Sequence, residues 1–377
     1  MRKLVLLVLT LSLLLVGGCW DQLIIEELAL AYAIGFDTDP TDPQLFILTT
    51  TNPTFSESSI EETKKLVGKG YSLSNAFFNM QRQRDRILVL GQVATLVFSE
   101  DAARKGLLHQ IMREVDQQRD INPNAKLVIV RGSEAREVIF LEPVEEAWVA
   151  RFLSDLLDHN FNSGIVPRIT ASRYWVSYST AGVVPVVPVI ELTGSEDKKI
   201  GANIVGLAAL DSTGRMQGIL TDQETTHYML LTGQNRRGRA TTKLPIDGAL
   251  RDTSGYIKNV SRHVTTSIVD GKARIAIKLK VSVDIINIDW DTDVTQPGID
   301  EKVEKALARD IQGNALEMLR KTQDWGTDVV GLGQHVRIQN PQWFRGKNWD
   351  EEYKKSEISL EVVVEVKRLG ALVNPQY

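Results

Sequence analysis

The stretch KARIAIKLKVSVDI, residues 272 to 285, places Ile275, Ile277, Leu279, Val281, Val283 and Ile285 on one side of the chain. Arg274, Ala276, Lys278, Lys280, Ser282 and Asp284 fall on the other. A strict period of two fits a strand with one dry face and one wet face. Asp270 and Gly271 separate this run from NVSRHVTTSIV, and an Asp-Gly pair between two strand-like runs is a strong hairpin signal. From about Asp300 the period lengthens. Val303, Leu307, Ile311, Ala315 and Leu319 recur every fourth residue, with Glu301 in the first turn and Arg320 and Lys321 in the last, the pattern of a long helix with one apolar stripe. EISLEVVVEV then returns to period two through Ile358, Leu360, Val362, Val364 and Val366. A strand pair, a covering helix and a returning strand specify an α+β domain over residues 251–371.

Upstream the rhythm changes. The runs in LALAYAIGFDTDPTDPQLFILTTTNP flank a loop rich in Asp, Thr and Pro and read as a hairpin, which must join other strands because a lone hairpin is marginal in water. Residues 72–182 alternate helix-like segments with the strand-like RILVLGQVATLVF and AKLVIV, the order of a small α/β unit. SEDAARKGLLHQIMREVDQQ is predicted as a helix with Leu107, Leu108, Ile111 and Val115 on one face, and Ser133 as the cap of a shorter one. From Val183 onward the text is strands and turns, with Pro185 and Pro188 expected to confine their strand to an edge or a bulge. GQNRRGRATTKLPIDG, residues 233–248, is the best linker candidate. The expectation is an α+β (mixed α/β) chain of three small domains, each a β-sheet with helices packed on it. They are an N-terminal domain over 19–193, a β-rich middle domain over 194–250 whose sheet the hairpin at 28–52 could complete, and the domain at 251–371.

The chain holds one cysteine. Arg2 and Lys3 precede an apolar run from Leu4 to Val16 that is too short for a bilayer, which needs about 20 residues, and that reads as a secretory signal over 1–18. Val16, Gly17 and Gly18 lead into Cys19, and the arrangement resembles the lipobox of bacterial lipoproteins, which implies cleavage before Cys19 and a diacylglyceryl group on its thiol. The alternative is an ordinary exported protein with a cysteine near its cleavage site. With no second cysteine there is no internal disulfide, and stability must come from apolar cores. The formal charge of −4 becomes more negative once Arg2 and Lys3 leave. A chain so charged is expected to repel nucleic acid and anionic lipid headgroups.

Several motifs invite a chemical reading. The five histidines form no H-x-H or H-E-x-x-H pattern, so no metal or other cofactor is expected. DWDTDVTQPGID sets Asp289, Asp291, Asp293 and Asp300 at calcium-loop spacing, but Val294 stands where the sharp turn needs glycine. Ser195 and Lys198 match S-x-x-K without its partner motifs, and Gly331 and Gly333 lack the third glycine of a dinucleotide fingerprint. Trp343, Phe344, Trp349 and Tyr353 cluster beside charged residues, where aromatics either anchor a protein contact or plug the base of a sheet. These four are the candidate partner-facing residues; no catalytic residue is assigned.

Three blocks in order, CWDQLIIEELALAYAIGFD, GANIVGLAALDSTGRMQGILTDQET and DWGTDVVGLGQHVRIQNPQWFRGKNWDEEY, resemble the Ger(x)C family, the lipoprotein C-subunits of spore germinant receptors. The resemblance implies a non-enzymatic lipoprotein held by Cys19 on the outer face of the spore inner membrane. There it would assemble with an A-subunit and a permease-like B-subunit in nutrient-triggered germination. A second reading is an extracytoplasmic solute-binding lipoprotein that captures the germinant itself, in a cleft of the 72–182 unit.

Overall fold

The computed structural model describes residues 27–42, 44–53, 63–117, 121–144, 146, 148–195, 198–234, 238–246, 249–288 and 298–369. Strands β1 (Leu28–Leu30), β2 (Ala33–Thr38), β3 (Phe46–Pro53) and β4 (Thr63–Gly70) come first. β2 and β3 form the predicted hairpin, antiparallel from Ile34 opposite Thr50 to Thr38 opposite Phe46. Its acidic loop is held by its own side chains: Asp39 accepts the Thr41 N–H at 2.8 Å and pairs with Lys69 of β4 at 2.6 Å.

Next come α1 (Leu73–Gln81), β5 (Ile87–Val89), β6 (Thr95–Ser99), α2 (Glu100–Lys105), α3 (Leu107–Gln117), β7 (Lys126–Val130), α4 (Ala135–Ile139), α5 (Val149–Asn162) and α6 (Ala171–Ser179). The single helix predicted over this region is two, because Gly106 adopts φ 87° and closes α2 in a left-handed cap. Its predicted apolar face is buried as a unit at Leu107, Leu108, Ile111 and Val115. The cap of α4 is Glu134 rather than Ser133. Its first N–H groups, on Ala135 and Arg136, are taken at 2.7 and 2.9 Å by the carboxylate of Asp37 at the end of β2. Burial raises the pKa of Asp37, and those two backbone bonds work against the rise.

β8 (Val186–Gly194), β9 (Lys199–Leu210), β10 (Met216–Thr221) and α7 (Asp222–Leu231) complete the first unit. Eight strands stand in the order β10-β9-β8-β7-β6-β2-β3-β4, with β2, β6, β7 and β8 mutually parallel. Side chains of α1, α3 and α6 pack on one face and those of α4 and α5 on the other, giving three layers. β8 is an interior strand, so of the edge and the bulge expected for it the edge is excluded, while the register shift between Val189 and Ile190 supplies an irregularity beside Pro188. Pro188 is tolerated there because β7 pairs only with Val189 and Ile190, so the position that lacks an N–H faces no partner on that side, and the β8–β9 register shifts immediately beyond it.

The second sheet is β11 (Arg239–Ile246), β12 (Ala249–Val269), β13 (Lys272–Ile288) and β14 (Glu357–Leu369), in that order. The linker candidate at 233–248 therefore contains a strand. Segment 194–250, expected as a small domain of its own, divides its strands between the two sheets, and the hairpin β2–β3 shares the first sheet with β8–β10, with β6 and β7 between. Asp270 and Gly271, at φ 51° and 75°, make the predicted tight turn between β12 and β13. β14 runs parallel to β13, from Arg274 opposite Glu357. Parallel neighbours require a crossover, supplied by α8 (Ile299–Trp325), α9 (Leu332–Gln339), α10 (Pro341–Phe344) and α11 (Trp349–Lys355). The apolar rows predicted on β13, α8 and β14 meet in one core. The opposite face carries the charges as cross-strand pairs, Arg274 with Glu357 at 2.7 Å and Lys278 with Glu361 at 3.0 Å.

Candidate functional site: the joint between the two sheets

Helix α7 joins the sheets. Thr221 caps it by accepting the Glu224 N–H at 3.3 Å while Glu224 returns the bond to the Thr221 N–H at 2.7 Å, a reciprocal capping box. Thr225, His227, Tyr228, Met229, Leu230 and Leu231 are all buried. Its first turn, at Asp222 and Gln223, is exposed, but from His227 onward the helix is buried on every side and so lies between layers rather than over one. Tyr228 to Leu231 belong to the same core as Leu207 and Leu220 of the first sheet and Ile275 to Ile285 of the second.

Charge and an aromatic ring pin the joint from the α8 side. The Lys321 ammonium donates to both oxygens of Glu224, at 2.9 and 2.7 Å, and to the Ile219 carbonyl at 3.2 Å. It also lies 5.1 Å from the centre of the Trp325 ring, a cation–π distance. That ring fills the space above Gly218 on β10: a Cβ there would stand 2.3 Å from it. Ser212, in the turn before β10, donates to Asp350 of α11.

Beyond α8 the chain is organised around Asp328, which is fully buried. Its carboxylate accepts from the N–H of Gly331 at 2.9 Å, the N–H of Gly333 at 2.6 Å and the indole N–H of Trp349 at 2.9 Å. Burial pushes its pKa up, and these three N–H bonds oppose the rise. Trp349 lies so close over Gly333 that a Cβ would stand 2.4 Å from the indole nitrogen. On the other side of Gly333 stands Gly182, in the loop that enters β8. Tyr353 shares a 2.8 Å hydroxyl bond with Thr322.

The aromatic cluster divides. Phe344, Trp349 and Tyr353 are buried, with ring centres 5.7 and 5.9 Å apart in series, so these three plug the base of the second sheet and present no surface to a partner. Trp343 is half-buried, with the Lys347 ammonium 5.3 Å from its ring centre. Ser195 accepts the Lys198 N–H at 3.1 Å in the β8–β9 turn, which is a turn cap. Gly331 and Gly333 serve the Asp328 cap. Cys19 and the acidic positions 289–297 lie outside the described residues, among which no three His, Cys, Asp or Glu side chains gather as a metal site.

A crevice of about 530 Å³ opens at the carboxyl ends of β2, β6 and β7, where open α/β sheets receive ligands. It is lined by Asp37, Ser99, Glu100, Asp101, Arg104 and Glu134 among others. Its charges are already engaged: Arg104 pairs with Glu100 and Lys105 with Asp101, each at 2.7 Å, while Asp37 caps α4.

Sequence reasoning placed Lys321 only in the last turn of the predicted helix and gave no role to Asp328, Gly218 or Gly182. The Thr221–Glu224 pair carried a local signal, the T-x-x-E spacing of a capping box.

Two family models match the chain: "Spore germination protein N-terminal domain" over residues 21–192 and "Spore germination B3/ GerAC like, C-terminal" over 205–370. Spore germination protein KC of Bacillus subtilis (strain 168) is 21% identical, over 99% of this chain and 98% of its own. Spore germination protein GerQC of Bacillus cereus is 22% identical, over 97% and 98%. The crystal structure of the GerBC protein superposes with a TM-score of 0.59 at 16% identity, covering 90% of this chain and 98% of that one, which shows the same α+β fold. The joint is built from two of the three blocks that carry the sequence resemblance, and the chain belongs to the Ger(x)C family of spore germination proteins.

Proposed function

We propose that the chain is the lipoprotein C-subunit of a spore germinant receptor, a non-enzymatic interaction subunit that assembles with an A-subunit and a permease-like B-subunit. The observation that carries this reading is where the family blocks go. GANIVGLAALDSTGRMQGILTDQET forms β9, β10 and the start of α7; DWGTDVVGLGQHVRIQNPQWFRGKNWDEEY forms the end of α8 through α11. They converge on one joint of capping, packing and charge, and the groups that meet there are spent on each other rather than turned toward a substrate. A rigid joint between two sheets suits a subunit that transmits or stabilises a conformational state of a complex. In this reading Cys19 carries the lipid that holds the subunit on the outer face of the spore inner membrane.

The test is a detergent pull-down of the tagged full-length protein from dormant-spore inner membranes, with bound proteins identified by mass spectrometry. Recovery of an A-type and a permease-like subunit is expected. Recovery of this chain alone, under conditions that preserve other membrane complexes, overturns the reading. For direct germinant capture the strand-end crevice is the place to test, and calorimetry with candidate germinants decides it.

A further inference from the structure

No Asp or Glu occurs from Val329 through Trp349, in a chain whose formal charge is −4. Within that window Arg337 and Arg345 are exposed and have no carboxylate at ion-pair distance among the described residues, while Lys347 has Glu352 at 3.7 Å. Ile338, beside Arg337, is 65% exposed, and the half-buried Trp343 lies between the two arginines in sequence. This corner between α9 and α10 is held in place from below. Gln339 accepts the Thr266 N–H at 2.7 Å, Asn340 donates to the Thr266 hydroxyl at 2.8 Å, and Phe344 is buried in the core.

We propose that the α9–α10 corner rests on the anionic phospholipid headgroups of the membrane to which the chain is tethered. Guanidinium groups match phosphate oxygens, and an indole and an aliphatic tip between cations suit the boundary between headgroups and acyl chains. The topology sets the start of α9, the helix that leads into the corner, toward the edge of the first sheet at which β2 begins. β2, β6, β7 and β8 are parallel and start at one edge of the sheet; the chain enters β2 from Glu27 at that edge, and the loop entering β8 there touches Gly333 in the first turn of α9. Three strand spacings separate β2 from β8, roughly 15 Å. The segment from Cys19 to Glu27 can reach at most roughly 28 Å, which spans that offset. The acidity of the rest of the chain does not forbid the contact, because charges beyond a Debye length of about 8 Å are screened.

The proposal rests on the Cys19 tether for proximity and not for its chemistry, so it is tested without the tether. The chain from Trp20 contains every residue of the three cores, which lie between Ala29 and Val366. Its co-sedimentation is measured with vesicles of equal parts phosphatidylglycerol and phosphatidylcholine, and with phosphatidylcholine alone. Binding to the mixed vesicles only is expected, weakened about fivefold by each of Arg337→Gln and Arg345→Gln, and lost at high salt. Intrinsic tryptophan fluorescence should be quenched by brominated acyl chains, and less so in Trp343→Phe. Equal binding to both vesicles, or unchanged binding by the double variant, overturns the proposal. Capture by polyglutamate with no vesicle binding also overturns it and transfers the corner to an acidic protein segment. None of these outcomes depends on whether Cys19 is acylated.

Discussion

At the scale of single residues, Asp328 does what no local pattern announced. One carboxylate satisfies three buried donors from α9 and α11, and each donor left without an acceptor costs about 1–3 kcal/mol. Asp328→Ala should therefore destabilise the chain by roughly 3 kcal/mol or more in urea unfolding. The pH dependence follows from the raised pKa. The folded state holds the proton more tightly than the unfolded one, so the contribution of Asp328 is full below the ordinary carboxylate range and declines as pH rises through its folded pKa. The difference between wild type and Asp328→Ala should shrink with rising pH across that window. A difference that grows, or a variant as stable as wild type, would show that the three donors find other partners. Asp328 was invisible in the sequence because a buried cap looks like any Asp before a glycine-dotted turn, and its burial depends on Trp349, 21 positions on.

At the scale of elements, what period and turn chemistry can express was legible. The alternation of β13, the fourth-residue stripe of α8 and the Asp-Gly turn were all readable, because each depends on neighbours in the chain. The break at Gly106 had a local signal, a glycine directly after Arg104 and Lys105. The other two failures share one cause. The interior place of β8 and the strand hidden in the linker candidate are decided by which element lies alongside. The contact of β10 with α8 is of this kind. Gly218→Ala forces a methyl group against Trp325, an overpacking that costs about 1–3 kcal/mol. In a Trp325→Leu background the same change should cost less, with a coupling energy of about 1 kcal/mol. Simple additivity in a double-mutant cycle would mean that the ring moves aside freely and the joint is loose.

At the scale of the whole molecule, the proposed anchor and the folded cores lie in different parts of the chain. All three cores are built between Ala29 and Val366, so Cys19→Ala should leave the thermal unfolding of the purified chain unchanged. In the lipoprotein reading it should also release the protein from spore membranes washed at high salt, a wash that removes headgroup contacts of the α9–α10 corner, because losing the tether lowers its local concentration without touching a core contact. Retention of that variant through the high-salt wash would sink the lipoprotein reading.

The sequence by itself determined the α+β class, the β12–β13 hairpin, α8 and β14 of the C-terminal sheet, and the family resemblance, since these reside in periods, compositions and short ordered motifs. Only the tertiary structure decided that the middle strands extend the first sheet, that α7 is buried between two layers, and that Phe344, Trp349 and Tyr353 turn inward while Trp343 stays at the surface. The physical reason is that burial is a property of pairs of surfaces. A residue's own neighbours state which face is apolar, and only the packing of distant elements states what covers it.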